Sequence, residues 1–494
     1  MKKLNGIWVK NSLQRIVVVI LVIIHFSIVV FSQVPDRSKP PELGPPPALK
    51  LPAIQHLKLS NGLPVVLMEK HDLPLVQVEL LVMAGSAMDP QEKNGIAAFT
   101  SAMMEEGAGA RNALELADAI DFLGASINPF VGQHTSGVSL HTPLSKLDSV
   151  LTLFADVALR PTFPAEELER HRKELLTTMV QWHDDPRTIA TVLFNNRLFG
   201  SNHPYGVPAA GNEQSVRTFR TDDLKQFHAT YYHPNNATLI VVGDVSSNMI
   251  VEKLEKLFGS WSAAEVPQSS WSKTDQVQNR KIFLVDKPDA AQSVFRIGRL
   301  GVQRLIDDYY ALIVLNTILG GSFTSRLNQN LREQHGYAYG AGSSFDFRPL
   351  PGSFIAATSV QTDVTDKALT EMMKELTNIM QPVTDDELTR AKNYVALGYP
   401  GGFESDASLA NQLAELVVYK LPDTYFNDYT KNILAVTKDD LSRVAKKYLD
   451  PEKMNIVIVG DRKKIEQGIS ALNLAPVQFM TIDEVLGKAP VIEQ

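Results

Sequence analysis

Two side chains in the second half of the sequence could stabilise negative charge on an oxygen atom. Arg332 and Tyr339 lie seven residues apart in LREQHGYAYG, on either side of Gly336. A tetrahedral oxyanion needs fixed hydrogen-bond donors, and a guanidinium together with a phenol supplies charge-assisted ones. Tyr337 is a competing phenol two residues earlier. Taken alone, the spacing favours a structural interpretation, in which Arg332 lies at a helix C-terminus and Tyr339 packs within a strand.

A second stretch, GIAAFTSAMMEEGAGAR, has the layout of a metal-binding helix without the usual donors. Its apolar stripe predicts a short amphipathic helix, formed by Ile96, Phe99 and Met103. The neighbouring face has the spacing at which a metalloenzyme helix holds two histidines and a carboxylate, but it carries Ala98, Ser101, Ala102 and Glu105. We interpret Glu105 and Glu106 as solvated helix residues.

Histidines elsewhere in the chain do not suggest a replacement metal site. His134 and His141 are seven apart on an alternating segment, which places them on opposite faces of an uninterrupted strand. His228 and His233 lie on either side of a predicted helix end, and His183 lies at a polar helix terminus. Surface or capping roles are therefore expected for all five.

Composition limits the classes of function that remain. The 494 residues are 44% hydrophobic and 21% charged, which is typical of a globular protein of two or more domains. The formal net charge of −7 argues against nucleic acid as a partner. The absence of cysteine excludes disulfides, thiolate catalysis and cysteine-ligated zinc.

The N-terminus has the features of an export signal. Four basic residues precede an apolar run from residue 16 to residue 31, and VFSQ follows it with small residues at the cleavage positions. We expect a signal peptide over residues 1–32 that is cleaved after Ser32. The alternative is an uncleaved membrane anchor. Residues 33–53 are rich in proline and predict a stiff spacer.

The rest of the chain contains an internal sequence duplication. AEELER, from Ala165, matches DDELTR, from Asp385, and YYHPNNATLIVVGD matches KYLDPEKMNIVIVGD, so the repeat length is about 220 residues. Strands followed by packed helices predict an α+β fold of two tandem homologous domains, each a mainly antiparallel sheet packed on helices. The predicted domains are residues 54–262 and 280–474, with a linker over 263–279 and a tail over 475–494.

At this level of detail the chain resembles the pitrilysin/insulinase-type inverted zinc metallopeptidases. The resemblance covers most of residues 54–474 and rests on four phrases: NGLPVVLMEKHDLPLVQVELLVMAGS, HPYGVP, YYHPNNATLIVVGD and LGGSFTSRLNQNLREQHGYAYG. Active members carry H-x-x-E-H on the first helix, where two histidines bind zinc and the glutamate acts as general base. A later helix supplies a third ligand.

The resemblance implies that this site is degenerate. The zinc-binding histidines fall at Ala98 and Ala102, the general base at Ser101 and the third ligand near Thr178. A supporting glutamate of the family falls at His171. The resemblance also implies that Arg332 and Tyr339 contact the substrate carbonyl, and that Gly320 and Gly321 match a mobile glycine-rich loop of some members. For these glycines we prefer a helix C-cap followed by a turn.

Two functions therefore stay open. In the first, the chain is a non-catalytic subunit that closes around a peptide with a zinc-bearing partner of the same family; this chain binds no metal and lends Arg332 and Tyr339 to the partner's reaction. In the second, it is a peptide-binding or structural scaffold of the same fold. A zinc peptidase in its own right is disfavoured because every ligand is replaced. The signal and spacer suggest a periplasmic location, with membrane contact only through an uncleaved N-terminus.

Overall fold

The computed structural model describes residue 44, residues 49–268 and residues 270–492. The chain divides into two units, residues 1–46 and residues 47–494, and the fold below is that of the second unit. The predicted signal peptide or anchor lies outside the described residues. Within the described part, every helix is too short or too polar to cross a membrane.

The first half contains eight strands and eight helices among the described residues. In chain order they are β1 (Ile54–Lys58), β2 (Pro64–Glu69), β3 (Leu75–Val82), α1 (Ile96–Met103), β4 (Gly107–Ala108), β5 (Arg111–Asn112), α2 (Ala113–Phe122), β6 (Ser126–Val131), β7 (Ser136–Pro143), α3 (Leu147–Leu159), α4 (Ala165–Trp182), α5 (Pro186–Phe199), α6 (Glu213–Thr218), α7 (Thr221–Tyr231), β8 (Ala237–Gly243) and α8 (Ser247–Phe258).

The second half repeats this arrangement with one irregular helical stretch. Its elements are β9 (Lys281–Asp286), β10 (Gln292–Leu300), α9 (Tyr309–Asn316), α10 (Arg326–Asn328), β11 (Ala338–Phe345), β12 (Ser353–Gln361), α11 (Thr365–Asn378), α12 (Asp385–Gly398), α13 (Asp406–Tyr419), α14 (Tyr425–Ala435), α15 (Lys438–Tyr448), β13 (Asn455–Gly460), α16 (Arg462–Ala471), β14 (Val477–Met480) and α17 (Ile482–Leu486). Residues Thr317–Gly321 and Gln329–Gln334 form π-helical turns on either side of α10, and we call residues 317–334 the interrupted segment.

The two halves build matching six-stranded mixed sheets. The strand orders are β1-β2-β8-β3-β7-β6 and β14-β9-β13-β10-β12-β11, with most neighbours antiparallel. The expected α+β class and duplication are confirmed. The sheets differ at one edge, because β1 pairs antiparallel with β2 across the turn at Asn61-Gly62, whereas β14 returns from the C-terminus and pairs parallel with β9.

The central strands β8 and β13 are buried along their whole length, which agrees with their continuous apolar sequences ATLIVVG and NIVIVG. One reason is an exchange of helices between the halves. Helix α5 of the first half packs on β10 and β13 of the second sheet, and α13 of the second half packs on β3 and β8 of the first. Each half therefore completes the core of the other.

Candidate functional site

Helix α1 begins at a tightly constrained point. Gly95 has a φ of +94°, and a Cβ there would overlap the backbone of Ala210. The carboxylate of Asp89 accepts hydrogen bonds from the N–H groups of Gly95 at 2.7 Å and Ala97 at 3.0 Å, and so caps the helix. Burial raises the pKa of Asp89 to about 7. This anchoring fixes which face of α1 meets the rest of the site.

The positions matched to the family's zinc ligands carry no suitable donors. Ala98 is half-buried, Ser101 is 4% exposed and Ala102 is exposed on α1. Thr178 is exposed on α4, where its hydroxyl donates to the carbonyl of Glu174 at 3.1 Å. Methyl groups cannot ligate zinc, and zinc sites are built from Cys, His and carboxylate donors. The residues present therefore do not fit a zinc ion.

The supporting position, His171, belongs to a group of charged side chains. Its Nε2 lies 2.6 Å from Oε1 of Glu106, and the Arg170 guanidinium lies 2.7 Å from the same oxygen. Burial alone would raise the pKa of Glu106, but hydrogen bonds from His171 and Arg170 hold it below its usual value. The expectation that Glu105 and Glu106 are solvated helix residues is wrong for both as regards the helix, which ends at Met103. Glu105 is exposed as expected, whereas Glu106 is half-buried and ion-paired.

The expectation for His134 and His141 also needs correction, because their segment is not one strand. His134 lies in the turn between β6 and β7, where Nε2 hydrogen-bonds the Tyr205 hydroxyl, and His141 lies on β7. The sequence signal missed here is Gly132, whose N–H donates to Thr135 O at 2.7 Å and closes the turn.

The other three histidines contact backbone carbonyls. His228 Nε2 lies 2.9 Å from Ala158 O, and burial lowers its pKa to about 4. His183 contacts Met179 O and Gly487 O, and His233 contacts Ala229 O and Ser262 O. Among the described residues, no group of three or more His, Asp or Glu side chains is arranged to hold a metal ion.

In the second half, Arg332 and Tyr339 lie on consecutive elements. Arg332 belongs to the last π-helical turn, where its guanidinium lies 4.5 Å from the centroid of the Phe323 ring. Tyr339 lies on the edge strand β11, at the irregularity between Ala338 and Ala341, and is 92% exposed. In the part of the chain that the structure describes, the two side chains share no hydrogen bond or ring contact. The structural interpretation in which Tyr339 packs within a strand is wrong.

Tyr337 has a different environment from Tyr339. Its ring is half-buried and stacks on His335 with centroids 4.9 Å apart, and its carbonyl accepts from the N–H of Gln361 at 3.3 Å. Tyr337 therefore contributes to packing, and the phenol open to solvent is that of Tyr339.

The glycines of the interrupted segment serve close packing. Gly320 and Gly321 end a π-helical turn, and neither has a positive φ, so they do not form a left-handed C-cap. A Cβ on Gly320 would overlap the backbone N of Ser343 in β11. The expected C-cap is therefore wrong, and Gly320 allows the segment to approach the strand that carries Tyr339.

Sequence reasoning missed a group of polar residues beside the interrupted segment. Arg326 donates to both carboxylate oxygens of Glu387, through Nε at 2.7 Å and Nη2 at 3.0 Å. Asn330 donates to Glu371 and to Glu375, both at 2.8 Å. The signal available in the sequence was the match of DDELTR to AEELER, which pairs Glu387 with Glu167.

Two domain models of one family match consecutive parts of the chain. Residues 64–203 match the insulinase (peptidase family M16) domain, and residues 218–395 match the peptidase M16 inactive domain. Curated relatives include the uncharacterized zinc protease YmxG of Bacillus subtilis, 29% identical over 58% of this chain and 68% of the relative. An uncharacterized zinc protease of Mycobacterium tuberculosis is 26% identical over 84% of this chain and 95% of that protein.

Solved structures show the same architecture. The peptidase M16 inactive domain from Pseudomonas fluorescens aligns with a TM-score of 0.77 at 26% identity, covering 82% of this chain and 98% of that one. A protease from Helicobacter pylori aligns with a TM-score of 0.77 at 23% identity, covering 83% and 100%. With both domain types matched in order, the chain belongs to the insulinase (M16) family of peptidases.

Proposed function

We propose that this protein is a non-catalytic subunit of a heteromeric zinc peptidase. In this proposal it forms part of the wall around a peptide and presents Arg332 and Tyr339 to the substrate carbonyl, while a partner subunit of the same family supplies the zinc and the general base. The observation that carries the proposal is the contrast between the donor-free positions of α1 and α4 and the accessible Arg332 and Tyr339.

The chemistry of the exposed pair supports this role. Stacking on Phe323 restricts the Arg332 guanidinium, which also forms an ion pair with its neighbour Glu333, whose Oε1 lies 3.4 Å from Nε. The Tyr339 hydroxyl is open to a ligand. A charged donor and a neutral donor are the two kinds of group that suit the developing oxyanion of peptide hydrolysis.

Reconstitution tests the proposal. The chain is co-purified from its native host with any zinc-bearing family member, and peptide hydrolysis is measured for each chain alone and for the mixture. We expect activity only in the mixture, and Arg332→Ala or Tyr339→Phe to lower kcat by about 10²–10³-fold, as removal of one oxyanion donor does.

Matched controls exist in the same chain. Arg462 lies over Phe479 at 3.9 Å, in the way that Arg332 lies over Phe323, so Arg462→Ala repeats the chemistry at another surface. Tyr231→Phe removes a half-buried phenol of the first half. Both controls should keep full activity. Hydrolysis that survives both test variants would leave the scaffold function as the better account.

Location is part of the same proposal. A structurally similar Escherichia coli protein, PqqL, is described as a periplasmic protease, and it aligns with a TM-score of 0.71 at 18% identity, covering 91% of this chain and 52% of that one. We propose that this chain is exported through its N-terminal segment. Cell fractionation with an antibody to the second unit tests this, and a purely cytoplasmic signal would contradict it.

A further inference from the structure

A cavity of about 340 Å³ lies in the second half between the interrupted segment and helices α11 and α12. Its wall combines residues of the segment that carries Arg332 with charged residues of the two helices. The residues used below are Arg326, Asn330, Glu375, Glu387, Arg390 and Tyr394. A cavity of this size is at the small end of ligand pockets and suits one side chain rather than a whole peptide.

Most charges in the wall neutralise each other. Arg326 is bound by both oxygens of Glu387, and its Nη1 donates to Asn378 O at 3.1 Å. Arg390 lies 3.3 Å from Asp386 at the rim. These two pairs add no net charge, so a ligand would meet the charge of the remaining groups.

Glu375 is the lining carboxylate without a cationic partner. In the described part of the chain, its hydrogen bond comes from the neutral amide of Asn330, and no Lys, Arg or His nitrogen lies within ion-pair distance of it. Neighbouring Glu371 accepts from the same amide but is also bound by Lys374 at 2.9 Å. Lys374 on the same helix also attracts Glu375 electrostatically, but its ion pair is with Glu371, so among the described residues of the wall Glu375 is the carboxylate without an ion-pair contact.

Asn330 holds the carboxylate of Glu375 in place. Because both carboxylates can only accept, its NH₂ group must face them and its carbonyl oxygen must face away. The residue is 4% exposed and its Oδ1 is fully buried, so a ligand in the cavity does not reach that oxygen. Asn330 therefore contributes by fixing the position of Glu375 in the cavity wall.

The rim supplies an aromatic face. Tyr394 lines the cavity and is 57% exposed, which is high for a large apolar ring. Cations are attracted to the face of such a ring. The Glu375 carboxylate and the Tyr394 ring together form a surface for a cation.

We propose that this cavity binds the cationic side chain of an arginine or lysine residue in a peptide. The inference rests on the proposed function in one respect, since that function makes the occupant a peptide. Glu375 balances the charge, Asn330 orients Glu375, and Tyr394 covers the aliphatic stem. The interrupted segment thus has two surfaces, one for a backbone carbonyl through Arg332 and one for a basic side chain.

Direct binding to the full chain tests the inference without the partner. The probes are two fluorescein-labelled ten-residue peptides with blocked ends, identical except that one contains a single arginine and the other contains neutral, isosteric citrulline. Fluorescence anisotropy should give a Kd for the arginine peptide about tenfold or more lower, as expected for charge-assisted hydrogen bonds. Glu375→Gln should make the two Kd values equal.

Two further variants serve as a control for loss of a carboxylate and as a second test of the cavity. Glu252→Gln removes an exposed carboxylate paired with Lys256 on α8, and it should preserve the difference between the peptides. Tyr394→Ala alters an exposed side chain, and it should weaken the arginine peptide more than the citrulline peptide, which shares the aliphatic stem but lacks the charge. Equal binding of both peptides to the wild type, absence of binding, or discrimination that survives Glu375→Gln would each overturn the inference.

These outcomes are separable from the proposed function. Discrimination between the peptides with no partner-dependent hydrolysis would reject the catalytic role and keep the side-chain site. Partner-dependent hydrolysis that is sensitive to Arg332→Ala but shows no preference for arginine would do the opposite.

Discussion

The two halves of the molecule have the same arrangement of helices on a six-stranded sheet, but matched glutamates in them, Glu167 and Glu387, form different ion pairs. In the first half, Arg170 on α4 binds both Glu167 at 2.6 Å and Glu106 at 2.7 Å. In the second half, Glu387 matches Glu167, but its partner is Arg326 of the interrupted segment. The first pairing joins Glu106, in the loop after α1, to α4, whereas the second lies in the wall of a cavity.

The two halves can also be compared at the positions where active members of the family bind zinc. With the repeat shift of about 220 residues, His171 and Thr178 match Ala391 and Gly398 of α12. Neither half therefore has a metal donor at the third-ligand position. Arg332 and Tyr339, the accessible pair that we propose contacts the substrate, are in the second half. Loss of the zinc ligands and retention of the fold are thus compatible, because the packing residues of α1 are separate from its ligand face.

The largest effect should come from the helix exchange that joins the halves. Phe194 on α5 is fully buried against the second sheet, where Gly298 of β10 makes room for its ring. Phe194→Ala should lower the free energy of unfolding by about 3–5 kcal/mol, through lost burial and the cavity left behind. Urea unfolding measures the change in free energy, and hydrogen exchange monitored separately in each half shows whether the two halves unfold together.

Leu413→Ala on α13 is the reciprocal test. Leu413 is fully buried, and α13 packs on the first sheet. We expect a loss of about 2–5 kcal/mol and the same single transition in both halves. If either variant unfolded one half while the other kept its protection, the view that the halves complete each other's cores would be wrong.

Local patterns in the sequence predict much of the fold but not its exchanges. The Asn61-Gly62 turn, the apolar runs of β8 and β13 and the matched hexapeptides identify the hairpin, the central strands and the duplication. The crossing of α5 and α13 depends on contacts between residues far apart in sequence, which periodicity does not reveal. Strand β11 was missed because AYGAGSSF is rich in small residues with weak strand propensity.

The candidate site was predictable only where its residues lie in local sequence motifs. Family spacing identifies positions 98, 101, 102 and 178, as well as Arg332 and Tyr339, because each lies in a recognisable phrase. The pairing of Glu106 with Arg170 and His171, and the Asn330–Glu375 contact, link separate elements and become visible only in the folded chain.

A smaller effect should appear in acid. Burial would raise the pKa of Glu387, but hydrogen bonds from Arg326 and Thr384 hold it at about 2. A carboxyl whose folded pKa lies below its unfolded value of 4.5 stabilises the fold above that value, and this contribution is lost as pH falls toward 2. Glu387→Gln should therefore cost about 1–3 kcal/mol at pH 7 and progressively less below pH about 4.

Glu106→Gln provides the matched comparison in the first half. Its partner Arg170 is 45% exposed, against 19% for Arg326, so solvent screens the pair more strongly and the cost at pH 7 should be smaller. Urea titrations of both variants from pH 7 to pH 3 measure the difference. A cost of Glu387→Gln that does not change with pH would contradict the assigned role of the Arg326 pair.

Zinc content tests the central claim most directly. The purified chain and a rebuilt variant, Ala98→His with Ser101→Glu, Ala102→His and Thr178→Glu, are saturated with zinc, desalted and analysed for metal by mass spectrometry. The account predicts only trace zinc in the wild-type chain and close to one zinc per chain in the rebuilt variant, since the backbone is retained and the donors are absent. One tightly bound zinc per wild-type chain, released by a chelator, would contradict it.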